Sequence, residues 1–268
     1  MAFADPDSAP AAPNARRRLR RALPPLVLLA LWQAGASLGL IPARTLASPA
    51  AVATAFADLT LSGDLPRHLL VSLARVAAGL AIGVAAGVAL ALAAGLSRRG
   101  EDLLDPTLQM LRTLPFLALV PLFILWFGIG ETPKVALVAL GSLAPVYLTL
   151  FAGIRGVDPR LVEAARTLGL GRAGLIRHVV LPGALPSALV GLRYALGTAW
   201  LSLVVAEQIN AETGIGAMIN LAREFLRTDV ILVGLVVYAL LGLGADRLVR
   251  GLERAALAWR PSLLGGRS

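Results

Sequence analysis

The chain of 268 residues contains no cysteine, which excludes disulfides, thiolate metal sites and cysteine nucleophiles together and leaves the redox compartment open. Histidine is almost as scarce, with only His68 and His178. The span assignment below puts these two near opposite membrane surfaces, so they cannot share a catalytic or metal site, and nothing resembles a metal-ligand cluster. Lysine occurs once, as Lys134 in the context ETPK, so there is no G-x-x-x-x-G-K-[ST] loop to cradle nucleotide phosphates. If ATP drives this protein, another polypeptide binds it, together with its Mg. Without a nucleophile and base, a carboxylate pair or a metal cluster, no enzymatic activity is expected of the chain itself. Charged residues make up 15% and aromatics 5% of the sequence, too little charge for a soluble domain and too few rings for an aromatic-rich core.

What is abundant is apolar: 57% of residues are hydrophobic and mean hydropathy is +0.76. Six apolar stretches, from Leu23 to about Leu40 and at about 71–96, 107–129, 134–154, 186–210 and 230–250, approach or exceed the ~20 residues that cross a bilayer. The expected fold is all-α, a polytopic membrane bundle of about six transmembrane helices over 23–262. A disordered cytoplasmic tail is expected over 1–22 and a short tail over 263–268. ARRRLRR ahead of the first stretch, with LASPA beyond it, could describe a cleaved signal peptide. The length of the run and the spans that follow favour a first membrane helix.

The net charge of +9 could suggest nucleic acid, but its distribution argues otherwise. With the N-terminus in the cytoplasm, ARRRLRR, Arg98, Arg99, Arg155, Arg160, Arg166, Arg172, Arg177 and the arginines from Arg247 onward fall inside. Only Arg44, Arg67, Lys134, Arg223 and Arg227 fall outside. This is the positive-inside pattern, with both termini cytoplasmic and no nucleic-acid partner.

In the second span Gly79, Gly83, Gly87, Ala91 and Gly95 recur every fourth residue and form a small-residue ridge for close helix packing, within one bundle or between two copies. Pro115 and Pro121 in the third span should kink it by removing backbone donors, and broken helices often line transport pathways. In SPAAVATAFADL, Ser48 as N-cap, Pro49 in the first turn and Val52, Phe56 and Leu59 on one face predict a short helix on the outer surface. Ile219, Ala222 and Phe225 after Gly214 and Gly216 predict another surface helix or a shallow re-entrant turn. Among polar residues near span ends, Arg75, Arg112 and Arg193 are expected to snorkel to the interface. Glu207 either borders the pathway or pairs with an arginine to orient the outer loop.

One polar interlude stands apart. In DPRLVEAARTLGLGRAGLIRHVVLP, Asp158 and Pro159 open a helix, Leu161, Ala165 and Leu168 share a face, Gly169 and Gly171 interrupt it, and a second short helix ends at Pro182 and Pro186. Spacing alone leaves two readings, a segment resting on the membrane or a helix-glycine-helix knuckle that contacts a partner. The segment resembles the EAA loop of ABC importer permeases: E-A-A, three residues, G, nine residues, I, one residue, L-P. Glu163, Ala164, Ala165, Gly169, Val179, Leu181 and Pro182 fill those positions, with Val for Ile the one departure. Blocks such as LDPTLQMLRTLPFLALVPLFILWFGIGE and HVVLPGALPSALVGLRYALGTAWLSLVVAE extend the resemblance over roughly 40–262, to permeases of the aliphatic sulfonate, taurine and nitrate importers, the sulfonate type above all.

That resemblance implies a type I ABC importer permease fold in the plasma (bacterial inner) membrane, with a cytoplasmic coupling loop over 155–185. The ATPase-docking residues would be those seven. The implied partners are ABC ATPase subunits that bind ATP and Mg, a periplasmic or extracellular solute-binding protein, and a second permease copy in a homodimer within the lipid bilayer. Pro115, Pro121 and Glu207 are the candidate pathway residues. An ion-driven secondary transporter would need carboxylates or histidines deep in the spans, and none is centrally placed. A membrane scaffold would leave the complete EAA spacing unexplained.

Overall fold

The computed structural model describes residues 15–258, and among these all regular structure is helical. The helices are α1 (Ala15–Ser37), α2 (Pro49–Leu61), α3 (Asp64–Gly95), α4 (Arg98–Leu111), α5 (Phe116–Phe127), α6 (Glu131–Arg155), α7 (Pro159–Thr167), α8 (Arg172–Leu175), α9 (Leu181–Asn210), α10 (Ile215–Glu224) and α11 (Thr228–Ala256). The tail expected over 263–268 and residues 1–14 of the one expected over 1–22 lie outside the described residues. ARRRLRR belongs to α1, which starts at Ala15 rather than at Leu23.

Four stretches are long and apolar enough to cross a bilayer: α3, α6, the continuous run from Arg172 to Gln208, and α11. The chain is thus a multi-pass membrane protein. The remaining two expected spans take other forms. The apolar part of α1 is Leu23–Ser37. The stretch expected as one kinked helix over 107–129 is two helices, α4 and α5, separated at residues 112–115. Pro115 explains the break, because its ring disfavours helical backbone at the residue before it and it lacks an N–H. It stands as the extended N-cap of α5, with φ −62° and ψ 115°.

The centre of the bundle is α3 against α6 and α6 against α9. Gly79 meets Val138, Gly83 meets Ala139 and Ser142, Gly87 meets Val146 and Gly95 meets Ile154. Residue numbers rise together along the seam, so α3 and α6 run parallel. The fit leaves no room for a side chain: a Cβ on Gly83 would lie 2.2 Å from Ser142 Oγ and 2.3 Å from the Ala139 carbonyl oxygen. The small-residue ridge is therefore consumed inside this bundle. Gly153 against Ser187 and Gly191 against Thr149 bring α9 antiparallel onto α6.

α3 and α6 end near Arg98, Arg99 and Arg155, the basic end of the bundle. At the opposite end lie the two loop helices. α2 starts as its sequence dictates, with the Ser48 hydroxyl accepting from the Ala51 N–H at 3.2 Å and proline in the first turn. Its packed face is Val52, Ala55 and Leu59, against α11 and α3, while Phe56 is exposed. α10 is not a surface helix, since Ile215, Met218, Ile219 and Ala222 are all buried. Phe225, expected on its apolar face, caps its C-terminus and is exposed.

Candidate functional site

Three places of interest are strung along a single helical run. At the basic end is the EAA segment. The Asp158 carboxylate accepts from the Arg160 N–H at 2.9 Å and starts α7. The helix ends in a reciprocal cap in which the Gly169 N–H donates to Arg166 O and the Leu170 N–H to Ala165 O, at 2.9 and 3.1 Å. Closing that cap requires a left-handed residue, and Gly169 has φ +83°. The glycine of the EAA pattern is thus the joint of the knuckle. Ala165 packs inward, whereas Glu163 and Ala164 are exposed, and so are Leu161 and Leu168. Among the described residues Glu163 has no ion-pair partner.

The second limb departs from expectation. Pro182 and Pro186 do not end it; α8 continues through a wide π-type turn, Ile176–Val180, into α9. In that turn the Leu181 N–H reaches back to Ile176 O, five residues away. The wider ring shifts the preceding carbonyls clear of the Pro182 ring, so the proline is accommodated without a break. Val179 and Pro182 are half-buried there and Leu181 is 40% exposed. The second limb of the EAA segment and the span are one helix. His178 lies in the same turn, its Nδ1 3.0 Å from Gly174 O.

Midway along α9, a cavity of about 570 Å³ opens between the α4–α5 break and the middle of α6. Its wall includes Arg112 and Pro115 from the break, Gly141 and Pro145 from α6, and Thr198, Leu201, Ser202 and Val205 from one stripe of α9. Of the pathway candidates, Pro115 lines this cavity; Pro121 and Glu207 are not in its wall. Arg112 was expected at a span end, but the helix break places it beside the cavity. Arg193 reaches α11, where it pairs with Glu253 and lies 3.7 Å from Asp246.

Glu207 is in a closed polar knot at the far end of α9, fully buried. Arg75 Nη1 donates to its Oε1 at 2.6 Å and the Ser72 hydroxyl at 2.7 Å. The Gly216 N–H donates to Oε2 at 2.8 Å, and the Tyr238 hydroxyl lies 3.3 Å from the same oxygen. Arg75 also forks onto Glu131 through Nε and Nη2 at 2.5 and 2.7 Å and donates to Thr213 O at 2.6 Å. Lys134 completes the set 3.1 Å from Glu131. Two arginine or lysine charges thus face two carboxylates, and this balance lets Arg75, Lys134 and Glu207 be buried while Glu131 closes the set from its exposed edge. Arg75 is 3% exposed, so it does not snorkel. The knot also holds the start of α10: the Ile215 N–H donates to Ser72 Oγ and the Gly214 N–H to His68 Nδ1, both at 2.9 Å. Gly214, with φ +119°, makes that turn.

Comparison with known proteins sets this geometry in context. A protein of Escherichia coli K12 named for aliphatic sulfonates transport, the permease protein SsuC, is 54% identical over 238 residues, 89% of this chain and 90% of that protein. The taurine transport system permease protein TauC of the same strain is 40% identical over 240 residues, 87% of this chain and 86% of its own length. A crystal structure of an amino acid ABC transporter with histidines shares the fold, with a TM-score of 0.61 at 24% identity, over 75% of this chain and 96% of that one. The all-α bundle is the fold of an ABC importer permease. The model of the binding-protein-dependent transport system inner membrane component matches residues 83–257, most of the chain, and to that family this protein belongs.

Proposed function

We propose that this chain is the membrane-spanning subunit of an ATP-driven importer for aliphatic sulfonates or closely related small anions. The observation that carries the reading is the EAA knuckle, capped at Gly169 and continuous through the π-type turn with the helix that passes both cavity and knot. A force applied at Glu163 and its neighbours on α7 is passed across the Gly169 joint to the run that begins at Arg172. The exposed Glu163, without an ion-pair partner among the described residues, and the exposed Leu161 and Leu168 suit docking into a cleft with cationic and apolar walls. The 54% identity to the sulfonate permease supports the substrate class, and the 40% identity to the taurine permease keeps an aminosulfonate as the second reading.

ATP and Mg belong to separate ATPase subunits, a solute-binding protein delivers the anion, and a second copy of this chain completes the pathway. The basic end of the bundle faces the cytoplasm, an orientation that the arginine distribution supports. ATP-driven approach of the two ATPases moves α7, tilts the run from Arg172 to Gln208, and changes which side of the membrane the cavity meets. Affinity purification of tagged permease from membranes tests the docking assignment. Glu163→Lys and Gly169→Pro are expected to insert normally and to lose the co-purifying ATPase. Unchanged association in both would contradict the role given to α7.

A further inference from the structure

The cavity at the α4–α5 break has a chemical character of its own. Arg112, exposed on the single chain, lines it opposite the middle of α6, and a guanidinium beside a membrane-spanning helix is commonly kept for a function or a partner. Among the described residues its side chain has neither an ion pair nor a hydrogen bond, and no carboxylate lines the cavity. Ser202 is the second observation. Serines and threonines within helices usually donate back to a carbonyl three or four residues earlier, as Ser142 does to Val138 O at 2.8 Å and Thr198 to Ala195 O at 3.0 Å. Ser202 is only 3% exposed, lines the cavity, and has no hydrogen-bond partner among the described residues. The residue is buried but its hydroxyl oxygen is not sealed off, so it is free to donate into the cavity. The start of α5 adds a third contribution: Pro115 provides no side-chain cap, so the positive end of that helix faces the break.

We propose that this cavity is an anion site within the membrane, where the Arg112 guanidinium and the Ser202 hydroxyl hold a sulfonate headgroup and Leu201 and Val205 cover its alkyl tail. The inference rests on the importer reading and names the side chains that receive the substrate. A sulfonate spreads one charge over three oxygens, which matches a forked donor, a hydroxyl and a helix N-terminus meeting at one point. The volume of about 570 Å³ admits a short alkanesulfonate with room to leave. Because the neighbouring α9 residues belong to the helix joined to the docking knuckle, tilting that helix would loosen the site as its access changes.

The test uses the whole transporter, permease with ATPase and binding protein, in liposomes, and follows both radiolabelled ethanesulfonate uptake and ATP hydrolysis. Arg112→Gln is expected to cut uptake per ATP hydrolysed at least tenfold while assembly and hydrolysis stay within about twofold. Arg112→Lys should retain an intermediate rate and Ser202→Ala should lose several-fold. Uptake by Arg112→Gln within twofold of wild type overturns the proposal and leaves the importer reading intact. If wild type itself carries no sulfonate, the substrate reading falls and the proposal with it. Should Arg112→Gln fail to assemble, undiminished uptake in both Arg112→Lys and Ser202→Ala overturns it equally.

Discussion

Arg75 and Glu207 show how one buried pair organises an end of the bundle. Their carboxylate and guanidinium are almost wholly buried, and between them they hold α3, α6, α9 and the start of α10. Removing one partner strands the other, a loss of about 3–5 kcal/mol in comparable buried pairs. Arg75→Ala or Glu207→Ala should therefore lower the melting temperature of the detergent-solubilised protein clearly. The double change Arg75→Met with Glu207→Leu should recover much of the loss, since it leaves neither charge of the pair buried alone and Lys134 keeps its bond to Glu131, and an additive loss would contradict this. The pair was half legible in the sequence. Glu207 could be weighed as an arginine partner, but Arg75 was assigned to the interface because it stands near a span end. The missed signal is its phase: Arg75 lies four residues before Gly79, on the same ridge that packs against α6. A side chain on the packing face of a helix has no lipid surface along which to snorkel.

Among the helices, the seam between α3 and α6 is the most constrained. Gly83→Val would drive methyl groups into Ser142 and the Ala139 carbonyl, which are main-chain and short side-chain atoms unable to yield. Membrane accumulation is expected to fall sharply, whereas Gly197→Ala on α9, where nothing lies within 4 Å, should be tolerated. Equal yields from the two variants would show that the ridge does not set the packing. The period of the ridge makes a close helix seam legible without coordinates, though not that α6 fills it. The broken third span was not: two prolines in an apolar run are equally compatible with a kink and with a break. Nor could spacing reveal that Pro182 follows a wide turn, because proline normally signals a helix end and a π-type turn leaves no composition mark. That difference matters, since it joins the second limb of the EAA segment to α9 rather than hinging it.

At the scale of the whole molecule, one helical run passes from the EAA knuckle by a membrane cavity to a buried knot, and on the importer reading that arrangement would convert contact at one face into movement within the bilayer. The absence of cysteine makes its orientation directly measurable. Single cysteines at Gly63 and at Arg177 are expected to react with a membrane-impermeant thiol reagent from opposite sides, Gly63 from outside intact cells and Arg177 only after permeabilisation; the reverse pattern would invert the topology. The central claim, import of sulfonates through this permease, is tested most directly by uptake of labelled ethanesulfonate in cells lacking only this gene, then with the wild-type copy restored, then with Glu163→Lys. Uptake should vanish, return with wild type and stay absent with the variant, whereas uptake that persists in the deleted cells, or fails to return with wild type, would contradict it.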